Sequence, residues 1–403
     1  MSIADHSNLR AQFPVLKREG LAYLDSAASC QKPQSVIDTM TAFYQHDYAT
    51  VHRGVYRLSQ DSTTQYDGVR TKIKTLINAA HDREIIFTKG ATEAINLVAA
   101  CYGNTFFDEG DELIVSEIEH HANFVPWQQL ALEKNLILKI IPVLDDGSLD
   151  MNAYQSLLSE NTALVAIQHV SNVLGTIHPI KEMIQEAHTV GAKVLVDACQ
   201  SVSHIAIDVQ DLDCDFLCFS SHKFYGPTGV GVLYGKDQLL EQMPPYQLGG
   251  DMIESVTLEK TTYAKHPMRF EAGTPPIAEV IGLGAACDFV SAIGLDQIAK
   301  IEENLLKEAT EKLLAIPGVR LIGTAKDKTA VISFLVDDIH PHDIGTVCDT
   351  QGVAIRAGHH CSQTTMTRYG VSATARASFA CYNNSQDIDA LIKAIKHLQE
   401  IFG

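Results

Sequence analysis

The chain has 403 residues, enough for about two or three units of ordinary domain size. Hydrophobic residues make up 46% and charged residues 20%, which excludes disordered, collagen-like and coiled-coil chains. Lys plus Arg number 31 against 49 Asp plus Glu, so the formal net charge is −18, and an acidic body disfavours nucleic acid and anionic membranes as partners.

No run of about 18 apolar residues is present, so no membrane span is predicted. Met1–Gly20 alternates polar and apolar residues without a signal-peptide core. The expectation is a cytoplasmic protein. Nine cysteines are scattered with no CxxC, which predicts unpaired thiols. Cys214 and Cys218 lie four apart in an apolar run that reads as a strand, so both are expected on one face, buried rather than metal-bound.

In chain order, Glu84–Thr88 reads as a strand leading into a helix over Ala91–Tyr102. Glu112–Ser116, Leu138–Val143, Leu164–His169, Lys193–Asp197, Phe216–Ser220 and Gly229–Tyr234 read as further buried strands, with a helical pattern at Ile180–Val190. Strands alternating with helices predict an α/β unit with a mostly parallel sheet. After about Val290 the texture changes to a long helix (Leu295–Ile316), a strand (Thr329–Leu335), a helix (Asp343–Gln351), short strands near Val353–Arg356 and Arg376–Ala380, and a closing helix (Asp387–Ile401). The expected organisation is a large unit over 21–289, a smaller α+β unit over 290–403, and a segment 1–20 packing on the smaller one.

The strongest chemical signal is Ser220-Ser221-His222-Lys223 at the end of an apolar strand. A neutral lysine amine there can form a Schiff base with a carbonyl, whereas a turn lysine would merely be solvated. Asp197 ends another strand, and ligands in open α/β sheets sit beyond strand carboxyl ends. A lysine for an aldehyde and a carboxylate for a pyridinium nitrogen are the two handles expected for pyridoxal phosphate (PLP); a lone Asp can also simply cap a turn. Gly90-Ala91-Thr92 offers small residues and a hydroxyl where a phosphate could meet backbone N–H groups, joined by Ser220 and His222, although a plain N-cap looks the same. His120, beside His121, follows a strand and can stack on a cofactor ring and relay protons. Asn172 and Gln200 stand at similar strand ends and can reach the cofactor's phenolic oxygen or the substrate, although Asn172 is also a turn former.

Arg356-Ala357-Gly358-His359-His360-Cys361 places a cysteine beside basic residues, which favour the thiolate, the nucleophilic form. No Cys/His pair at ligand spacing makes it a zinc site. Arg376 opens a strand and suits a bidentate clamp on a carboxylate, or a structural ion pair.

Leu24-Asp25-Ser26-Ala27-Ala28-Ser29, Val51-His52-Arg53-Gly54, Glu119-His120-His121-Ala122-Asn123, His169-Val170-Ser171-Asn172-Val173-Leu174-Gly175, Ser221-His222-Lys223, Arg269-Phe270-Glu271-Ala272-Gly273-Thr274 and the Arg356–Cys361 run occur in that order over nearly the whole chain. This set resembles the cysteine desulfurases of the class V aminotransferase group. The closest resemblance is to the group II type of the SUF sulfur-mobilisation system. The resemblance implies PLP fold type I: a large domain with a mostly parallel seven-stranded sheet and a smaller α+β C-terminal domain carrying the cysteine loop. It implies Lys223 as the Schiff-base lysine, Asp197 as the pyridinium partner, His120 as the stacking acid/base, and Thr92, Ser220 and His222 as phosphate ligands. Gln200 would meet the phenolic oxygen, and Thr274 the phosphate of a neighbouring subunit in a homodimer. Arg376, with Asn172 and Arg356 nearby, would hold the substrate carboxylate, and Cys361 would accept sulfur from L-cysteine. A SUF-type acceptor protein would collect that sulfur for iron–sulfur cluster or other sulfur-cofactor synthesis. Selenocysteine lyase activity is a close variant. The chain departs from the family pattern at Ser362-Gln363-Thr364-Thr365-Met366, where relatives usually show Ala and then Pro.

A kynureninase-like hydrolase, an epimerase or an aminotransferase would share Lys223, Asp197 and Arg376 but has no need of Cys361. Gly226, Gly229 and Gly231 open a strand rather than a helix, so they are not a dinucleotide fingerprint.

Overall fold

The buried apolar runs form a seven-stranded sheet in a computed structural model that describes residues 8–402. Its strands are β1 (Ile85–Thr88), β2 (Glu112–Ser116), β3 (Ile137–Ile141), β4 (Thr162–Gln168), β5 (Lys193–Asp197), β6 (Phe216–Ser220) and β7 (Gly231–Gly235). Their spatial order is β1-β7-β6-β5-β4-β2-β3. β7 runs antiparallel to both neighbours and every other pairing is parallel. Both faces are covered, as a parallel sheet requires. Val165, Ile167, Val194, Val196, Leu217 and Phe219 pack into one core. Leu113, Val115, Leu164, Leu195, Phe216 and Cys218 pack into another. This is the mostly parallel α/β architecture of PLP fold type I.

Several helices complete the large unit. α1 (Gln34–Ala42) and α2 (Arg57–Leu76) pack against α4 (Ile277–Ile293), and α3 (Ala91–Leu97) follows β1. The run expected as one helix to Tyr102 leaves α geometry at Val98, where a π-helical turn spans Val98–Gly103. The expectation for Cys214 and Cys218 is corrected. Asp213 adopts a left-handed conformation (φ 58°), so the strand starts only at Phe216. The two thiols accordingly join different cores, Cys214 on one side of the sheet and Cys218 on the other.

The C-terminal part builds a four-stranded antiparallel sheet in the order β8-β9-β11-β10, from β8 (Val319–Ile322), β9 (Val331–Val336), β10 (Arg356–Gly358) and β11 (Thr374–Ser378). Ile332, Phe334, Ala375 and Ala377 face α5 (Leu295–Leu314) and α8 (Ser385–Phe402) through Leu305, Leu391 and Ile395. β8 and the short helix α7 (Gln363–Tyr369), which starts two residues after Cys361, are additions to the sequence-based reading; α6 is Pro341–Thr350. Ala22–Tyr23 pairs in parallel with Val353–Ala354, so the chain crosses the C-terminal sheet region before it enters the large unit. The N-terminal segment touches both parts. Phe13 packs on Tyr225, Phe289 and Tyr382, while Arg10 pairs with Asp387 at 2.9 Å. Residues 1–7 lie outside the described residues. Among the described residues no single helix is long and apolar enough to cross a membrane.

A buried ion pair ties α2 to the segment before α4. Arg70 reaches Glu271 at 2.8 and 2.9 Å, and Glu271 also accepts the Phe87 N–H at 2.8 Å. Removing one partner strands a buried charge, which typically costs about 3–5 kcal/mol. Arg70→Met is therefore expected to lower unfolding stability by about that amount, and adding Glu271→Leu to recover part of it. Urea titration of the two variants measures both.

Candidate active site

β2, β4, β5 and β6 end on one edge of the sheet, and the loops that follow line a single cleft. Asp197, the last residue of β5, is 6% exposed and faces this cleft. Its Oδ1 accepts the Cys199 N–H at 2.9 Å, so it caps the turn and lines the cleft at once. Lys223 closes the 3-10 turn after β6 and projects into the same space.

Thr92, Ser220 and His222 line one side of the cleft. Ser220 Oγ accepts the Ala91 N–H at 2.9 Å, which fixes the turn before α3 against β6. β7 passes beneath this turn so closely that a Cβ on Gly231 would lie 2.5 Å from Gly90 Cα. Only glycine fits there. Burial, aided by Lys223 and Lys32, pushes the His222 imidazole down to about 4, so near neutrality it meets an anion as a neutral hydrogen-bonding ring.

The two adjacent histidines have separate tasks. His120 lines the cleft, and its Nδ1 accepts the Ala122 N–H at 3.0 Å, which leaves the proton of the neutral ring on Nε2. Burial and the neighbouring Lys223 hold His120 at about 4. His121 turns instead to the cysteine loop: its N–H donates to the Cys361 carbonyl at 2.7 Å, and its Nε2 accepts the Gln363 N–H at 3.1 Å.

Arg376 is 2% exposed at the seam of the two units. Nη1 donates to the Asn172 carbonyl at 2.7 Å and Nη2 to Asp25 at 3.1 Å, while Nε has no partner among the described residues. Asn172 Nδ2 donates to the His360 carbonyl at 2.7 Å, and its buried Oδ1 is unpartnered among the described residues. Arg356 stands half-exposed at the mouth and pairs with Asp25 at 3.3 Å.

Of the nine cysteines, eight are buried and Cys361 is exposed. Burial pushes the Cys199 thiol, which also lines the cleft, up to about 12, so it stays protonated. Cys361 lines the cleft from the other side, in a turn where His360 and Cys361 both have positive φ, 53° and 57°.

Two expected ligands sit apart. Gln200 donates from Nε2 to the Ala27 carbonyl at 2.6 Å, so it braces the Ala27–Ala28 wall of the cleft rather than lining it. Thr274 is exposed in the turn after Glu271 and does not reach the cleft of its own chain. Two contributors lacked a sequence signal. Asp25 binds both arginines from more than 300 positions away, and nothing local in Leu24-Asp25-Ser26 announces that. Glu119 is fully buried, accepting from Ser116 at 2.6 Å, Asn123 at 2.7 Å and the Gln168 N–H at 2.9 Å. Burial raises its carboxyl to about 8, and an acidic residue gives no hint of that in sequence.

This donor set fits pyridoxal phosphate. Lys223 offers the amine and Asp197 the carboxylate. Ala91, Thr92, Ser220 and His222 line one side of the same cleft, where polar groups could meet a phosphate.

Comparison with known proteins agrees. The aminotransferase class-V family matches residues 22–391. A cysteine desulfurase of Dickeya dadantii is 51% identical over 400 residues, covering 98% of this chain and 97% of the relative. One from Escherichia coli O127:H6 is 49% identical, with 98% of each chain covered. Among solved structures, an E. coli cysteine desulfurase superposes with a TM-score of 0.93 at 38% identity, covering 98% of each chain. The apo enzyme of Thermococcus onnurineus gives 0.94 at 37% identity, covering 99% of this chain and 98% of that one. The chain belongs to the PLP-dependent class V aminotransferase family, and within it to the cysteine desulfurases.

Several buried histidines make stability depend on pH. Burial lowers His169 to about 4, and lowers His178 and His360 to about 3, from an ordinary value of 6.5. The unfolded chain then binds more protons than the folded one below pH 6.5, so stability present above that pH is lost as pH falls towards these folded values. The urea midpoint should drop between pH 6.5 and 4.5, and His178→Asn should flatten that drop; an unchanged slope would contradict the assignment.

Proposed function

We propose that this cysteine desulfurase converts L-cysteine to L-alanine by passing the sulfur to Cys361, which holds it as a persulfide. The observation that carries this reading is the exposed Cys361 thiol facing Lys223 and Arg376 across one cleft, while the other eight thiols are buried.

Bound PLP supplies an aldehyde for amines and a ring that accepts the electron pair of the substrate Cα–H bond. Lys223 would hold the cofactor aldehyde and, as a free amine, could move a proton at the substrate Cα. Asp197 would be the carboxylate for the ring nitrogen. His120, neutral with its proton on Nε2, stacks on the ring and can donate or accept without first losing a charge. Arg376, which lines the cleft, would clamp the substrate carboxylate and so fix the orientation of the substrate Cα–H bond. Asn172 and Arg356 flank that carboxylate. Cys361 thiolate attacks the substrate sulfur: the carbon–sulfur bond breaks, a sulfur–sulfur bond forms, and Cβ and Cα gain the protons that make alanine. The balance is cysteine plus thiol to alanine plus persulfide, with no external oxidant.

The protein acts as a homodimer in the cytoplasm. Tyr44, Tyr48, Val55 and Tyr56 are exposed on one segment, and Leu258 is fully exposed at the tip of the Ile253–Val256/Thr261–Tyr263 hairpin. Arg53 and Asp251 join the two segments at 2.5 Å. So much exposed apolar surface calls for a partner. A second copy would bring its Thr274 to the phosphate end. A SUF-type acceptor collects the persulfide sulfur at the open surface formed by His121, Arg356, His359 and Gln363 around Cys361. Selenocysteine fits the same clamp.

Lys223→Ala should leave a folded protein that does not turn over cysteine. Cys361→Ala should keep the cofactor absorbance, lose sulfide release from L-cysteine and still cleave selenocysteine, because selenium leaves without the thiol's help. Coupled sulfide and alanine assays decide both; full cysteine turnover in either variant overturns the assigned role. Sedimentation equilibrium should give twice the 44.1 kDa chain mass. Val55→Asp with Leu258→Asp should shift the protein towards the monomer.

A further inference from the structure

The turn carrying Cys361 is strained and spans two units. His360 and Cys361 are consecutive non-glycine residues in the left-handed region, which β-carbons disfavour. Such a turn persists only where its surroundings hold it. The surroundings here are mainly the segment that presents His120. The His121 backbone N–H donates to the Cys361 carbonyl at 2.7 Å, and the His121 side chain adds its own bond, Nε2 accepting the Gln363 N–H at 3.1 Å. Between these bonds Ser362, fully buried, donates its hydroxyl to the Glu119 carbonyl at 2.9 Å. Glu119 is itself fixed by Ser116, Asn123 and the Gln168 N–H.

We propose that His121 is a positioning residue: it latches the Cys361 loop to the cofactor-bearing unit and thereby sets the distance from the thiol to the substrate sulfur. The latch works only when His121 Nε2 is unprotonated and can accept the Gln363 N–H. Burial and His359 both push the imidazole below its ordinary value, which favours that state. His120 and His121 thus split one strand-end segment, the first facing the cofactor and the second holding the nucleophile. This inference rests on the assignment of Cys361 as sulfur acceptor.

The test uses the full-length holoenzyme, four single variants and one double variant. His121→Ala removes the acceptor. His121→Gln places Oε1 where Nε2 stood. Gln363→Pro removes the donor from the other side, at the first position of α7, where a helix tolerates proline. Cys361→Ala controls the underlying assignment. Five quantities are read: iodoacetamide alkylation of Cys361 by peptide mass, single-turnover persulfide formation, the change in cofactor absorbance on mixing with L-cysteine, selenocysteine cleavage, and sulfide release from L-cysteine. His121→Ala and Gln363→Pro are expected to slow persulfide formation by about tenfold or more and to change the alkylation rate. Both should leave the absorbance step and selenocysteine cleavage at wild-type rates. His121→Gln should restore persulfide formation to within about twofold, and the double variant His121→Ala/Gln363→Pro should be no slower than either single one. Wild-type persulfide formation in His121→Ala, equal loss in His121→Ala and His121→Gln, or a parallel loss of the absorbance step each overturns the latch. Sulfide release by Cys361→Ala overturns the Cys361 assignment, and the latch with it.

Discussion

The site depends on one guanidinium held almost out of water. Arg376 is 2% exposed, and burying a charge is costly unless it is paired and hydrogen-bonded. Its partners come from distant parts of the chain: Asp25 near the N-terminus and the Asn172 carbonyl after β4. Asp25 is shared with Arg356, so a single carboxylate serves two guanidinium groups. The cluster is short of negative charge, and Nε of Arg376 is unpartnered among the described residues. The same bonds tie the C-terminal sheet to the segments that carry Asp25 and Asn172.

The second constraint is dielectric. Lys223, Asp197, His120 and His222 gather where four strands end, and all four line one cleft. Burial and neighbouring cations keep the two imidazoles neutral at physiological pH. A neutral His120 does not compete with Lys223 for Asp197, and its tautomer is set by the Ala122 N–H.

How much of this was legible in sequence follows from how local each signal is. Asp197 and Lys223 end continuous apolar runs, so strand periodicity alone places both at one edge of a parallel sheet. The Arg356–Cys361 run advertises its cysteine by composition. The pairing of Asp25 with Arg376, the fixing of Glu119 and the division of labour between His120 and His121 all arise from contacts between segments far apart in the chain, and no window of sequence contains them. Cys214 illustrates the opposite error: four residues of apolar spacing suggested one strand face, but the strand begins only at Phe216, so Cys214 lies outside it just after the left-handed Asp213. Gln200 was placed in the right neighbourhood, yet its amide went to the Ala27 backbone, because a buried carbonyl there needed a donor.

The cysteine loop shows why a departure from a family pattern has to be read in three dimensions. Ser362-Gln363-Thr364-Thr365 replaces the small residue and proline usual in relatives, and in sequence that suggests a looser loop. The structure supplies other restraints. Ser362 is fully buried, bonds to the Glu119 carbonyl, and lies 2.7 Å from Thr365 Oγ1. A hydroxyl can be buried only where it finds partners, so this serine is tolerated because Glu119 and Thr365 stand in reach. Proline restrains a chain by removing freedom from the unfolded state, whereas these bonds restrain it by adding contacts to the folded one. The two routes differ in what releases them. A proline acts at any pH, and so do the bonds of Ser362 to Glu119 and Thr365, whereas the bond from Gln363 to His121 needs an unprotonated Nε2, so one of several restraints on this loop depends on a titratable group.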